Sequence, residues 1–197
     1  MAVAGLTVWQ WANVKPYVIS KIEDPETLSE RLEEKRAENT KKLADQGVEV
    51  PNLTKEQMDG LIKGETTAEQ TVQELNLDQY QSDNTVDDIV NHCVAELYQY
   101  ESQLYGQLGA LRQNTLAMWK SRPASERSFA EKQKLKASVV GQCYAMEVDA
   151  DNNVTAILAR YHDMVAEQGG DPSRIDSLWS IYCSEKASVK AYYLSLD

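Results

Sequence analysis

From Asn84 to Leu196 the apolar residues of this chain recur at helical spacing, broken only at Ser121-Arg122-Pro123 and at Gly169-Gly170-Asp171-Pro172. In the first stretch Val86, Val90, Cys93, Leu97, Tyr100 and Leu104 step alternately by four and three residues, which is a heptad seam. An extra step of four then leads to Leu108, followed by Leu111, Thr115 and Met118, so the supercoil is unwound locally. Gly106 and Gly109 lie beside this slip and leave room for a close neighbouring helix, at a cost in helix stability. The second stretch carries a stripe of Leu135, Val139, Cys143, Met146, Ala150, Val154, Ile157, Tyr161 and Met164; the third presents Ile175, Leu178, Tyr182, Val189, Tyr192 and Leu196. A helix with one apolar seam must bury it against a neighbour, and short breaks force antiparallel neighbours. The pattern predicts an all-α chain whose residues 84–197 form an elongated antiparallel three-helix bundle or coiled coil, thinning at one end to two helices.

The remainder of the chain reads as two smaller pieces. In residues 21–83, Asp24-Pro25 supplies an N-cap and a proline at the first helical position, and Gly47 suits the stop. Between them Leu28, Leu32 and Leu43 are sparse among charges, so a mostly solvated spacer helix is expected, held by pairs among Glu30, Glu34, Arg31, Lys35 and Lys42. Thr54-Lys55-Glu56-Gln57 is a capping box, and Thr66-Thr67-Ala68-Glu69 repeats the pattern, so a short helix–turn–helix follows. A DNA-reading version would need a basic second helix, but Ala68 to Leu75 carries two Glu and no Lys or Arg.

Residues 1–20 are the apolar exception. Ala2 to Val14 would span about 20 Å as a helix, against roughly 30 Å of bilayer hydrocarbon, and Gln10 and Asn13 interrupt them. Neither a basic leader nor a small-residue cleavage site flanks them. Trp9, Trp11 and Tyr17 around Lys15 resemble an aromatic belt with a snorkelling cation. Three roles fit: the outer end of a shortened transmembrane helix, an interfacial anchor, or a helix docked on the bundle or a partner subunit. Pro16 ends or kinks the element in each.

The net charge of −11 argues against nucleic acid as a partner, and no clustered Lys and Arg patch is evident in the sequence. Residues 21–85 hold 8 basic and 16 acidic side chains, and residues 86–197 hold 11 and 15. Such acidity fits solubility, or a docking face for a basic partner.

Chemistry-bearing constellations are few. Cys93, Cys143 and Cys183 fall one on each long helix, and folding the first two back about residues 121–124 sets Cys93 level with Asn152, roughly 13 Å along the axis from Cys143. The same register separates His92 from His162 by about nine residues, so no closed metal site is expected. Asp149-Ala150-Asp151-Asn152-Asn153 lacks the glycine and the terminal glutamate of a calcium loop. No Gly-rich phosphate loop or G-x-S-x-G elbow occurs, so a non-enzymatic protein without cofactors is expected. Tyr98, Tyr105 and Trp179 lie off or at the edge of the seams and are candidates for a partner surface, as Trp9, Trp11, Lys15 and Tyr17 are for membrane or partner docking.

The ending Tyr182-Cys183-Ser184-Glu185-Lys186 through Tyr192-Tyr193-Leu194-Ser195-Leu196, with Gly5 to Tyr17, Pro25 to Gln46 and Leu53-Thr54-Lys55-Glu56-Gln57, resembles small uncharacterised membrane-anchored helical proteins of Gram-positive bacteria. The resemblance spans most of the chain and supplies no activity. It implies an amino-terminal membrane anchor, an acidic helical spacer and a helical hairpin; a place on the extracytoplasmic face of a membrane is expected alongside it. Together these features predict a membrane-proximal helical scaffold that meets a protein partner or a second copy of itself. The alternative is a soluble structural subunit docking through residues 1–20.

Overall fold

The computed structural model describes residues 23–195, and these are all-α: six α-helices and two short 3-10 turns, with no strand among them. The helices are α1 (Pro25–Asp45), α2 (Lys55–Lys63), α3 (Ala68–Glu74), α4 (Val86–Ser121), α5 (Phe129–Glu167) and α6 (Ser173–Ser195). The 3-10 turns are Leu77–Tyr80 and Ala124–Glu126. Residues 1–20, with the anchor candidates Trp9, Trp11, Lys15 and Tyr17, lie outside the described residues, as does Leu196.

Helix ends follow local chemistry. Asp24 caps α1 by accepting from the Thr27 backbone N–H, 2.9 Å, with Pro25 in the first turn. Gly47 leaves the helix at φ 80°, the left-handed conformation that a side chain resists. Thr54 and Gln57 close a reciprocal capping box on α2. On α3 the box sits one residue later than expected, between Thr67 and Gln70, because Gln70 is the residue that reaches back to the Thr67 N–H, 2.9 Å. Thr85 and Asp88 form a third box at the start of α4.

The chain divides into two compact units, Glu49–Ile175 and, from its ends, Met1–Val48 with Asp176–Asp197. The larger is organised around α4. Helix α5 runs back along α4, so that Asn153 Nδ2 donates to the Tyr100 hydroxyl and Arg122 pairs with Glu131, 2.8 Å, across the turn. The core holds Ile89, Val90, Cys93, Val94, Tyr98 and Tyr105 from α4 and Ala150, Val154, Leu158, Tyr161 and Val165 from α5. At 39 residues α5 is about 58 Å long.

Helices α2 and α3 also pack on α4. The slip in the seam marks this contact. At Gly109 the backbone carbonyls of Leu61 and Ile62 fill the space a Cβ would need, whereas Gly106 faces open space. The close neighbour expected at the two glycines is therefore admitted by Gly109 alone.

In the smaller unit α1 buries Leu28, Leu32 and Leu43 together with Arg36 and Asn39. The solvated character expected of this helix holds only for its outer face. There Glu38 takes both Lys35, 2.8 Å, and Lys42, 2.6 Å. Glu185 of α6 meets α1 from the other side: Arg36 Nη1 stands 2.5 Å from its Oε1, and Asn39 Nδ2 donates to its Oε2 at 3.4 Å. Of the bundle expected over residues 84–197, the α4–α5 hairpin lies in the larger unit, while α6 from Asp176 onward groups with α1. The boundaries between the two units fall at 48/49 and 175/176.

Candidate functional site

Two features of the larger unit carry chemistry, a polar cleft beside α4 and the outer half of the α4–α5 hairpin. The cleft, of about 370 Å³, opens between α4, α5 and the 3-10 turn Leu77–Tyr80. Its wall presents the amides of Gln81, Gln99, Gln103 and Asn153 with His92 and Glu96. Glu96 is the hub. Its Oε2 accepts from the Arg160 guanidinium and from the Tyr161 hydroxyl, the latter at 2.7 Å. Burial raises the pKa of Glu96, but the two hydrogen bonds and the Arg160 charge together outweigh it, and the carboxyl ends below its ordinary range.

The same surroundings hold Tyr161 and Cys93 in their neutral forms. Burial pushes up the Tyr161 phenol, and the hydrogen bond to Glu96 and its negative charge add to the effect. Burial likewise pushes up the Cys93 thiol, with the Glu96 charge adding to it. A thiol so disfavoured as thiolate is a packing residue rather than a nucleophile. His92 Nδ1 stands 2.8 Å from Asp83 Oδ1, and its ring meets Tyr161 edge to face at 5.3 Å. Glu96 can accept hydrogen bonds at the cleft, but its charge is already answered by Arg160, so the cleft offers amide and hydroxyl hydrogen bonding to a polar molecule rather than an acid–base pair.

This cluster was hidden from the sequence by the hairpin register. The turn occupies residues 122–128 and α5 opens only at Phe129; Tyr100 meets Asn153 and His92 meets Tyr161, so residues pair about eight positions further along α5 than a fold at 121–124 implies. His92 consequently meets Tyr161, next to His162, and the nine-residue separation expected between the two histidines is corrected. His162 turns instead to Asp163, 3.3 Å. Among the described residues no three His, Cys, Asp or Glu side chains gather as a metal would require.

The aromatics expected at a partner surface divide. Tyr98 is 7% exposed and Tyr105 5%, so both are core residues of α4 rather than surface, and Tyr105 lies where the seam slips. Trp179, in the smaller unit, is 38% exposed and leans on Tyr182 at 5.4 Å.

The exposed apolar surface lies elsewhere. Gln113 Nε2 donates to the Lys63 carbonyl at 3.2 Å, where α2 ends, and beyond it the larger unit continues as the α4–α5 pair. One stripe of each helix is half-buried there, with Leu111, Thr115 and Trp119 on α4 and Leu135, Val139 and Cys143 on α5. Outside that stripe Phe129 is 76% exposed, Val140 64% and Met118 54%, and Leu116, Tyr144 and Val148 are also exposed. Apart from Trp179, these are all the large exposed apolar residues among the described ones. No protein-family model, curated protein or solved structure matches the chain.

Around the hairpin turn the charge balance is locally basic. Residues 112–136 hold seven Lys and Arg against Glu126 and Glu131, an excess that the acidic total conceals. Arg127 donates to the carbonyls of Lys120 and Arg122, and Glu131 takes both Arg122 and Lys134, 2.7 Å, which draws these cations around the turn. Among the described residues no helix is long and apolar enough to cross a membrane.

Proposed function

We propose that this chain is a non-enzymatic helical scaffold or interaction protein, which presents the outer half of the α4–α5 hairpin to a protein partner. One observation carries the reading: Leu116, Met118, Phe129, Val140, Tyr144 and Val148, six of the seven large exposed apolar residues described, fall on that half. A two-helix segment buries only one stripe per helix, and concentrated exposed apolar surface of this kind is characteristic of interaction sites. The cleft at Glu96 is a subsidiary feature of this reading, because its charged groups already answer one another.

The scaffold works close to a membrane in this reading. Residues 1–20, with Trp9, Trp11 and Tyr17 around Lys15, provide the contact, and the scaffold stands on the extracytoplasmic face. Affinity capture from source membranes tests the partner. The full chain is compared with a Met118→Ser/Phe129→Ser/Val140→Ser variant of equal helicity. The expected result is a defined protein retained by the first and lost by the second. Recovery unaffected by the three substitutions would remove the hairpin from the function.

A further inference from the structure

Along the outer half of α5 the residues Ala137, Val140, Gly141, Tyr144 and Val148 are all exposed, and they recur at i, i+3, i+4, i+7 and i+11. That spacing gathers them on one face of the helix, beside the stripe that α4 covers. Gly141 is central to this face. A glycine weakens a helix interior, and a Cβ added there would meet nothing within 4 Å. No packing among the described residues therefore calls for a glycine at this point.

The charges flanking the face are ordered. Lys132, Lys134 and Lys136 lie before Gly141, and Glu147, Asp149 and Asp151 lie after it. Each lysine lies as far before the Gly141–Gln142 peptide as one carboxylate lies after it: Lys136 matches Glu147, Lys134 matches Asp149 and Lys132 matches Asp151. A second copy laid antiparallel across this point would set every lysine opposite an acid, whereas a parallel copy would set like charges together. Val140 of one copy would come level, within about a residue, with Tyr144 of the other, and Gly141 would lie at the crossing, where two backbones approach most closely. Lys134 also pairs with Glu131 within the chain, 2.7 Å, and keeps its side chain 74% exposed.

We infer that the α5 face centred on Gly141 is a self-recognition surface, through which two copies of this chain pair antiparallel about a two-fold axis. A two-fold interface is self-complementary by construction, and the mirrored order of charges along one helix meets that requirement. The inference rests on the reading of the hairpin as an interaction surface and names the partner for that part of it.

The test is sedimentation equilibrium of the full chain over a range of concentrations. The wild type should show a monomer–dimer equilibrium weakened about tenfold between low and high salt. Lys134→Glu/Lys136→Glu should weaken it by tenfold or more. Adding Glu147→Lys/Asp149→Lys to the same chain should restore it to within about threefold, because antiparallel pairing then matches every charge again. Gly141→Leu should abolish the dimer while leaving the circular dichroism helical. A chain monomeric at every concentration, an association indifferent to the lysine swaps, or a fourfold variant that stays monomeric would each overturn the inference. If the dimer is absent but the capture experiment still depends on Met118, Phe129 and Val140, self-pairing fails and the hairpin stands as a surface for a different protein. Loss of both results removes both readings.

Discussion

The carbonyl oxygen of Leu61 occupies the space in which a Cβ on residue 109 would stand, so Gly109 is the point where α2 meets the backbone of α4. Gly109→Ala should cost about 1–3 kcal/mol, since backbone rather than a flexible side chain must move. Gly106→Ala, three residues away over open space, should instead stabilise α4 by roughly 0.5–1 kcal/mol. Urea denaturation of the two variants should therefore shift in opposite directions, and a shift of the same sign in both would place α2 elsewhere.

Buried charge governs the smaller unit. Arg36 and Glu185 have side chains only 7% and 11% exposed, so removing one partner strands the other in a medium of low polarity. Arg36→Met should destabilise this unit by about 3–5 kcal/mol, and Arg36→Met/Glu185→Leu should recover most of that loss. Amide hydrogen exchange in α1 reads the effect: fast in the single variant, slow again in the double one.

Glu96 makes the larger unit acid-sensitive. Its pKa is lower in the folded chain than its ordinary value of 4.5. Its contribution to stability is therefore fully present above that value and is lost as pH falls through the lower folded value. The difference in urea midpoint between wild type and Glu96→Gln should be steady from pH 7 to about pH 5 and shrink at more acid pH. A difference independent of pH throughout would mean that the Arg160 and Tyr161 bonds do not depend on the charge of Glu96.

The capping residue of α3 can be separated from its neighbour. Thr67→Ala removes the acceptor for the Gln70 N–H, 3.2 Å, and should cost about 1 kcal/mol. Thr66→Ala should be nearly neutral, because Thr66 Oγ1 is buried without a hydrogen-bond partner among the described residues. Thermal unfolding of the pair distinguishes the two positions.

What could be read from the sequence was what local chemistry decides. Asp24-Pro25, Thr54 with Gln57 and Gly47 act over three or four residues, and each ends its helix as its composition dictates. The apolar period located the long helices, and the slip between Leu104 and Leu108 pointed to the crossing at Gly109. The cluster around Glu96 was not legible, because Glu96 and Arg160 are 64 residues apart and their meeting depends on the length of the turn between Ser121 and Phe129. The pairing of α1 with Glu185 was hidden for another reason. Arg36 and Asn39 complete the inward face of α1, and a hydrophobic pattern does not register polar residues that become buried through a partner 146 positions later.

That separation has a consequence for how the molecule is made. During synthesis α1 leaves the ribosome well before α6, carrying an arginine whose carboxylate partner is encoded 149 residues later. The hairpin and its flanking helices can close while translation continues, since Glu49–Ile175 contains its own core. The first helix must wait, solvated by its own charges, until Glu185 has cleared the exit tunnel. The high charge density of α1, which looks like the mark of a permanent spacer, leaves a waiting half-unit with a mostly hydrated surface until its counterpart arrives.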